Sequence, residues 1–168
     1  MKIDFIIISS ILVIICFLPF IIFPLIANKE KKNIINRFKE EAQKLGLNIS
    51  YELLWNNNLA GVDVEKRQFL FVQKTEMNFE IRLINLIKMG DIKIRPQTHT
   101  YKIQGKPEEI LTRIDLEIYE QNSLDFQVIT LFDHDLNYNQ EFELNNAQKL
   151  ALELRKYLST QPYLRRTA

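Results

Sequence analysis

The chain predicts an α+β protein: an N-terminal transmembrane helix, an amphipathic helix, about seven antiparallel strands and a C-terminal helix. Three observations carry this. Residues 5–27, FIIISSILVIICFLPFIIFPLIA, hold no charged side chain, and nineteen of the 23 are Ile, Leu, Val, Phe, Cys or Ala. Between residues 49 and 132 apolar positions recur every second residue and are rich in β-branched and aromatic types, the period of a half-buried strand. From residue 145 to 158 the apolar spacing returns to three and four, the period of a helix.

The apolar run spans roughly 34 Å as a helix, enough for the hydrocarbon core of a bilayer. A cleaved signal peptide has a shorter apolar region and a small-x-small site; here the best candidate, Leu25-Ile26-Ala27, carries a large residue where a small one belongs. A lipoprotein reading would use Cys16, but Ile14 and Ile15 precede it. Residues 1–27 are therefore read as a retained anchor. Lys2 alone precedes the run, whereas Lys29, Lys31, Lys32, Arg37 and Lys39 follow it, so the positive-inside rule places the remaining chain in the cytoplasm. Pro19 and Pro24 predict mild kinks. With no ionisable or amide side chain inside the run, nothing suggests a transport path.

Residues 28–47 read as an amphipathic linker helix. Ile34, Ile35, Phe38, Ala42 and Leu45 form its stripe, and Gly46 is the stop. Its polar face mixes acids with bases, which favours docking on the following domain over lying on a membrane surface. Strands are expected at residues 49–55, 59–64, 69–74, 79–87, 92–95 with a continuation at 100–104, 111–120 and 124–132. Polar clusters such as Asn56-Asn57-Asn58 and Glu65-Lys66-Arg67 separate them, and such short connections imply antiparallel pairing. Ile114, Leu116 and Ile118 share one face of a strand, opposite Arg113, Asp115, Glu117 and Tyr119. Asn145 followed by Gln148 reads as a capping box. Ala147, Leu150, Ala151, Leu154, Tyr157 and Leu158 form the last helical stripe, and residues 161–168 read as a disordered tail.

Seven strands closed by one helix, together with WNNNLAGVD at residues 55–63, RQFLFVQK at 67–74, IDLEI at 114–118 and the N-terminal anchor, resemble the pleckstrin-homology-like (PH-like) domain of small uncharacterised bacterial single-pass membrane proteins. The resemblance covers residues 48–160. It implies a bent sheet forming a partly open barrel plugged by the C-terminal helix, and a binding or scaffolding module in place of an enzyme. Phosphoinositide-binding members of that fold would carry cations between the first two strands. Here that loop is Asn56-Asn57-Asn58, which argues against inositol-phosphate recognition.

Chemistry-bearing residues are sparse. Cys16 is the only cysteine, so the domain can form no disulfide and offers no thiolate. Asp133-His134-Asp135 invites a metal reading: along a strand His134 points away from both aspartates, whereas in a loop the three could converge; with no other histidine near it in the chain, no metal site and no cofactor are expected. Four separated glycines make no phosphate cradle, and Ser50 and Ser123 stand in no catalytic signature, so no catalytic residues are assigned. A net charge of +1 carries no nucleic-acid signature. Tyr51, Trp55 and Phe71 could line a peptide groove, although aromatic residues at strand spacing are more often core.

The charges of the domain are segregated along the chain. Lys88, Lys93, Arg95, Lys102 and Lys106 face only Asp91 between residues 88 and 106, and an acidic stretch from Glu108 to Glu143 is opposed only by Arg113. Either neighbouring strands set these charges across from each other, or Lys93, Arg95, Lys102 and Lys106 form a basic hairpin for anionic lipid headgroups or an acidic partner. The composite expectation is a membrane-anchored, non-catalytic interaction module whose partners are the bilayer and another membrane or envelope protein. Two rivals stand beside it: an accessory subunit of an envelope transport or secretion assembly with the domain on the outer side, and a hydrolase with an unrecognised site.

Overall fold

The computed structural model describes residues 2–75, 77–103, 106–121, 123, 125–135 and 142–159; side chains of residues 2–11, 21, 23–27 and 103 are not among those described. The expected tail at residues 161–168 lies outside the described residues.

One unbroken helix, α1 (Lys2–Lys44), carries both the apolar run and the amphipathic stretch, a length of roughly 65 Å at 1.5 Å per residue. It stops in a Schellman motif. The Leu47 amide donates to the Ala42 carbonyl at 2.8 Å and the Gly46 amide to the Gln43 carbonyl at 3.0 Å. Gly46 adopts the left-handed φ of 61° that this motif requires and that glycine adopts without strain. Ile34, Phe38 and Ala42 are buried, so the stripe docks as expected, while Leu45 is exposed. Residues 12–20 are exposed at every position. Among the described residues no helix is long and apolar enough to cross a membrane; within the apolar run the described side chains are those of residues 12–20 and 22.

Seven strands follow in two antiparallel meanders. The first sheet orders β1 (Tyr51–Trp55), β2 (Asn58–Asp63), β3 (Gln68–Lys74) and β4 (Phe79–Asn85). A short 3-10 turn, Leu86–Lys88, leads into the second sheet, ordered β5 (Met89–Ile103), β6 (Lys106–Glu120) and β7 (Phe126–Asp133). The helix α2 (Glu143–Arg155) ends the described fold. The protein is thus α+β with sheets of four and three strands and a C-terminal helix, and no closed barrel forms.

The central strands β2 and β3 of the first sheet are covered on both faces. Ala60, Val62, Phe69 and Phe71 point into the main core with Ile114, Leu116, Ile118 and the α2 stripe. Leu59, Leu70 and Val72 point the other way, onto Ile34, Phe38 and Ala42 of α1. Double coverage explains why all of β2 is buried. Gly61 lets α1 come this close: a Cβ there would stand 2.4 Å from Phe38 Cζ and 2.9 Å from Ile49 Cγ2.

Three local expectations are corrected. Pro96 does not split β5, because β5 is an edge strand, where a missing ladder N–H is tolerated. Asn145 caps nothing: α2 begins at Glu143, with Phe142 at the cap position in a left-handed φ of 63° and no side-chain cap bond. The Asn56–Asn58 turn is shorter than expected, since Asn58 already belongs to β2 and is buried.

Candidate functional site

A cleft of about 470 Å³ opens where the start of β2, the end of β3 and the start of β4 meet α1, the end of β7 and the start of α2, a size within the range of ligand pockets. Its walls carry the carboxylates of Glu30, Glu80, Asp133 and Glu143 and a single cation, Lys74. Lys74 is engaged with Glu30 of α1 at 2.5 Å.

Amides hold the two sheets together at the back of the cleft. Asn58 donates to the Leu131 carbonyl at 2.7 Å, and Gln73 Nε2 donates to Asn58 Oδ1 at 2.9 Å and to the Thr130 carbonyl at 3.1 Å. Buried backbone carbonyls at a sheet end need such partners, since an unpaired one is costly. Glu143, 2 % exposed, accepts from Trp55 Nε1 at 3.0 Å and from the Asn56 side-chain amide. Burial pushes its carboxyl above the ordinary range, and the Asn56 and Trp55 hydrogen bonds oppose that rise. One carboxylate therefore ties the first turn of α2 to the β1–β2 turn. Sequence reading missed it because its partners lie 87 and 88 residues away; the only local signal was an acid in a helical first turn.

Thr75 and Thr130 also line the cleft. Among its lining residues there is no serine, cysteine or histidine. Trp55 and Phe71 are core residues with ring centroids 6.4 Å apart, which removes the peptide-groove reading of Tyr51, Trp55 and Phe71. No group of three or more His, Cys, Asp or Glu side chains suited to a metal occurs among the described residues. His134 sits in a turn just after β7, its amide donating to the Thr112 carbonyl at 2.9 Å.

The four basic-hairpin residues lie on β5 and β6, without converging as one cationic surface. Arg95 Nε donates to Glu117 Oε2 at 3.1 Å. Lys93, in register with Glu117, stands 4.5 Å from the centroid of the Tyr119 ring and 3.9 Å from Asp91 Oδ2. Tyr119 also donates to Glu117 at 2.6 Å. That hydrogen bond holds the Glu117 carboxyl below its ordinary range, with help from Arg95 and against burial. Lys102 pairs in register with Pro107 and Lys106 with Ile103, farther along the hairpin, and both are exposed. For Lys93 and Arg95 the charge segregation becomes opposite charges set across the β5–β6 pair, whereas Lys102 and Lys106 have no acid in register. Comparison with protein-family models, with characterised proteins and with solved structures found no match. The site stands on its own geometry.

A second polar cluster is structural. Asp115, buried, accepts from Arg113 Nε at 2.8 Å, from Thr130 Oγ1 at 2.9 Å and from Gln97 Nε2 at 3.4 Å, joining all three strands of the second sheet. Asp63 accepts from the Asn48 and Lys66 amides, both at 2.8 Å. Burial raises its carboxyl, but the backbone donors of Lys66, Asn48 and Glu65 together hold it below the ordinary range.

Proposed function

We propose that this protein is a single-pass membrane protein, anchored by residues 5–27, whose cytoplasmic domain is a non-catalytic interaction module for another membrane protein. The carrying observation is the surface of α1. Nine consecutive positions, residues 12–20, are exposed, and eight of them are Leu, Val, Ile, Phe or Cys. Successive helical residues turn by about 100°, so this stretch is apolar on every side, the signature of a helix that belongs in lipid or between partner helices. A soluble monomer would not leave so large a surface in water.

Lys29, Lys31 and Lys32 are exposed on α1 just beyond the run, which favours the cytoplasmic side for the domain. The PH-like assignment is supported by element order: seven antiparallel strands, divided four and three, then a helix packed on the core between them. A binding role is supported by the cleft, whose size and mostly polar lining suit a ligand or a partner's side chain.

Alkaline carbonate extraction of membranes containing the full chain tests the anchor. Retention in the pellet is the expected result; release into the supernatant overturns it. Protease added to sealed vesicles of each orientation tests the side, and digestion of the domain from the outer face would overturn the cytoplasmic assignment.

A further inference from the structure

Met77, at the tip of the β3–β4 hairpin, is 90 % exposed, more than any other large apolar residue described. A single exposed methionine is ordinary. Its height along α1 is what gives it meaning. β3 runs antiparallel to the docked part of α1, because Lys66 Nζ donates to the Gly46 carbonyl at one end and Lys74 pairs with Glu30 at the other. Glu30 follows the last apolar residue, Ala27, by less than one helical turn, roughly 4.5 Å along the axis.

Beyond Lys74 the chain continues in the same direction before Phe79 returns to pair with Lys74. At about 3.3 Å per residue, this carries the tip past the level of Glu30 and back to that of the end of the apolar run. Hydrogen bonds join the ends of the turn: the Thr75 amide donates to the Asn78 carbonyl at 2.8 Å, and the Asn78 amide to Thr75 Oγ1 at 3.2 Å. A second turn, Asn56–Asn57, lies at the same end, its Asn57 carbonyl accepting from the Lys74 amide at 2.8 Å.

We propose that the β3–β4 tip is a second membrane contact, with the Met77 side chain set among the lipid headgroups beside α1. The headgroup layer is roughly 5 to 7 Å deep on each side, which matches the height of the tip. This inference rests on residues 5–27 spanning the bilayer. The tip Thr75-Glu76-Met77-Asn78 carries one acid and no lysine or arginine, so attraction to anionic lipid plays no part and Met77 supplies the apolar contact. Its consequence is orientation: the domain stands on the bilayer at two points, which limits the tilt of α1 toward and away from the tip.

The test places the full chain in phosphatidylcholine nanodiscs carrying lipid nitroxides at either headgroup or mid-chain depth. A fluorophore on the native Cys16 reports the anchor. On a Cys16→Ser background, Asn78→Cys reports the tip with Met77 intact, and Glu65→Cys reports the β2–β3 turn at the far end; Trp55 emission checks that each variant is folded. Mid-chain nitroxide is expected to quench the Cys16 probe. Headgroup nitroxide is expected to quench the Asn78→Cys probe several-fold more than the Glu65→Cys probe, and adding Met77→Asp should remove most of that difference. Equal quenching at the two sites, with Cys16 still quenched, overturns the tip contact and leaves the anchor. Quenching that ignores Met77→Asp overturns the role of Met77, and an unquenched Cys16 overturns both readings.

Discussion

Gly61→Ala separates backbone preference from packing with opposite signs. The φ of Gly61 is not left-handed, so on backbone grounds alone alanine should stabilise by about 0.4–1 kcal/mol, through reduced freedom of the unfolded chain. Packing points the other way. The new methyl would stand 2.4 Å from Phe38 Cζ, 3.3 Å from Phe38 Cε1 and 2.9 Å from Ile49 Cγ2, against an optimum of roughly 3.5–4.0 Å between carbons. Phe38 cannot simply withdraw. It is 1 % exposed, and Ile34 and Ala42 on either side of it are seated on the same sheet face. Relief requires α1 to lift or the ring to leave its rotamer, and overpacking of this kind costs about 1–3 kcal/mol.

The assay is thermal or urea unfolding of the full chain in detergent, followed by emission of Trp55, the only tryptophan and a core residue. The expected loss is about 1–3 kcal/mol, several degrees of melting temperature for a domain of this size. Phe38→Leu removes the clashing atoms at the cost of a cavity. The double variant should therefore be more stable than the sum of the two single changes by about 1 kcal/mol, a coupling of the size seen for residues in contact. An unchanged or raised melting temperature for Gly61→Ala, with no coupling to Phe38→Leu, would refute the docking of α1 on β2.

Glu143 and Asp63 should show opposite pH signatures. Ionised Glu143 carries a burial penalty that is fully present above its raised pKa and fades as pH falls through the carboxylate range. Glu143→Gln should therefore melt higher than the parent at pH 8, with the difference closing in acid. The lowered Asp63 carboxyl contributes stability above its unfolded pKa that is lost as pH falls through its folded one. Asp63→Asn should cost about 1–3 kcal/mol at neutral pH, the gap narrowing below pH 4. Trp55→Phe, which removes a donor to the buried Glu143 carboxylate, should cost about 1.5–3 kcal/mol by circular-dichroism melting. A chain starting at residue 28 keeps the docked stripe of α1 and both sheets, so it should be monomeric and folded without detergent; aggregation on size-exclusion chromatography would contradict that.

Much of this fold was legible because its signals are local. Alternation in residues 114–118 and the stripe Ala147, Leu150, Ala151, Leu154 are periodicities that a sheet and a helix must show if one face is buried, and both faces are buried as read. The dock of α1 was legible for the same reason, through Ile34, Phe38 and Ala42. What escaped depends on contacts between distant residues. Nothing near Gly61 in the chain announces that Phe38 lies on it. The break expected between residues 95 and 100 is absent because β5 is an edge strand that tolerates Pro96, and only the strand order reveals that edge. The capping box at Asn145 failed because Glu143, drawn in by Trp55 and Asn56, starts the helix earlier. The cleft was illegible for that same reason, being assembled from six separate elements.

The continuity of α1 from its apolar run into the domain underlies everything above, and a single distance tests it most directly. Spin labels on the native Cys16 and on Lys39→Cys, placed in the full chain in lipid nanodiscs, should give one narrow distribution near roughly 35 Å, the span of an unbroken helix at 1.5 Å per residue. A broad distribution, or one centred well short of that value, would mean that the anchor and the docked helix are separate segments joined by a hinge, and the rigid coupling of bilayer to β-domain would be wrong.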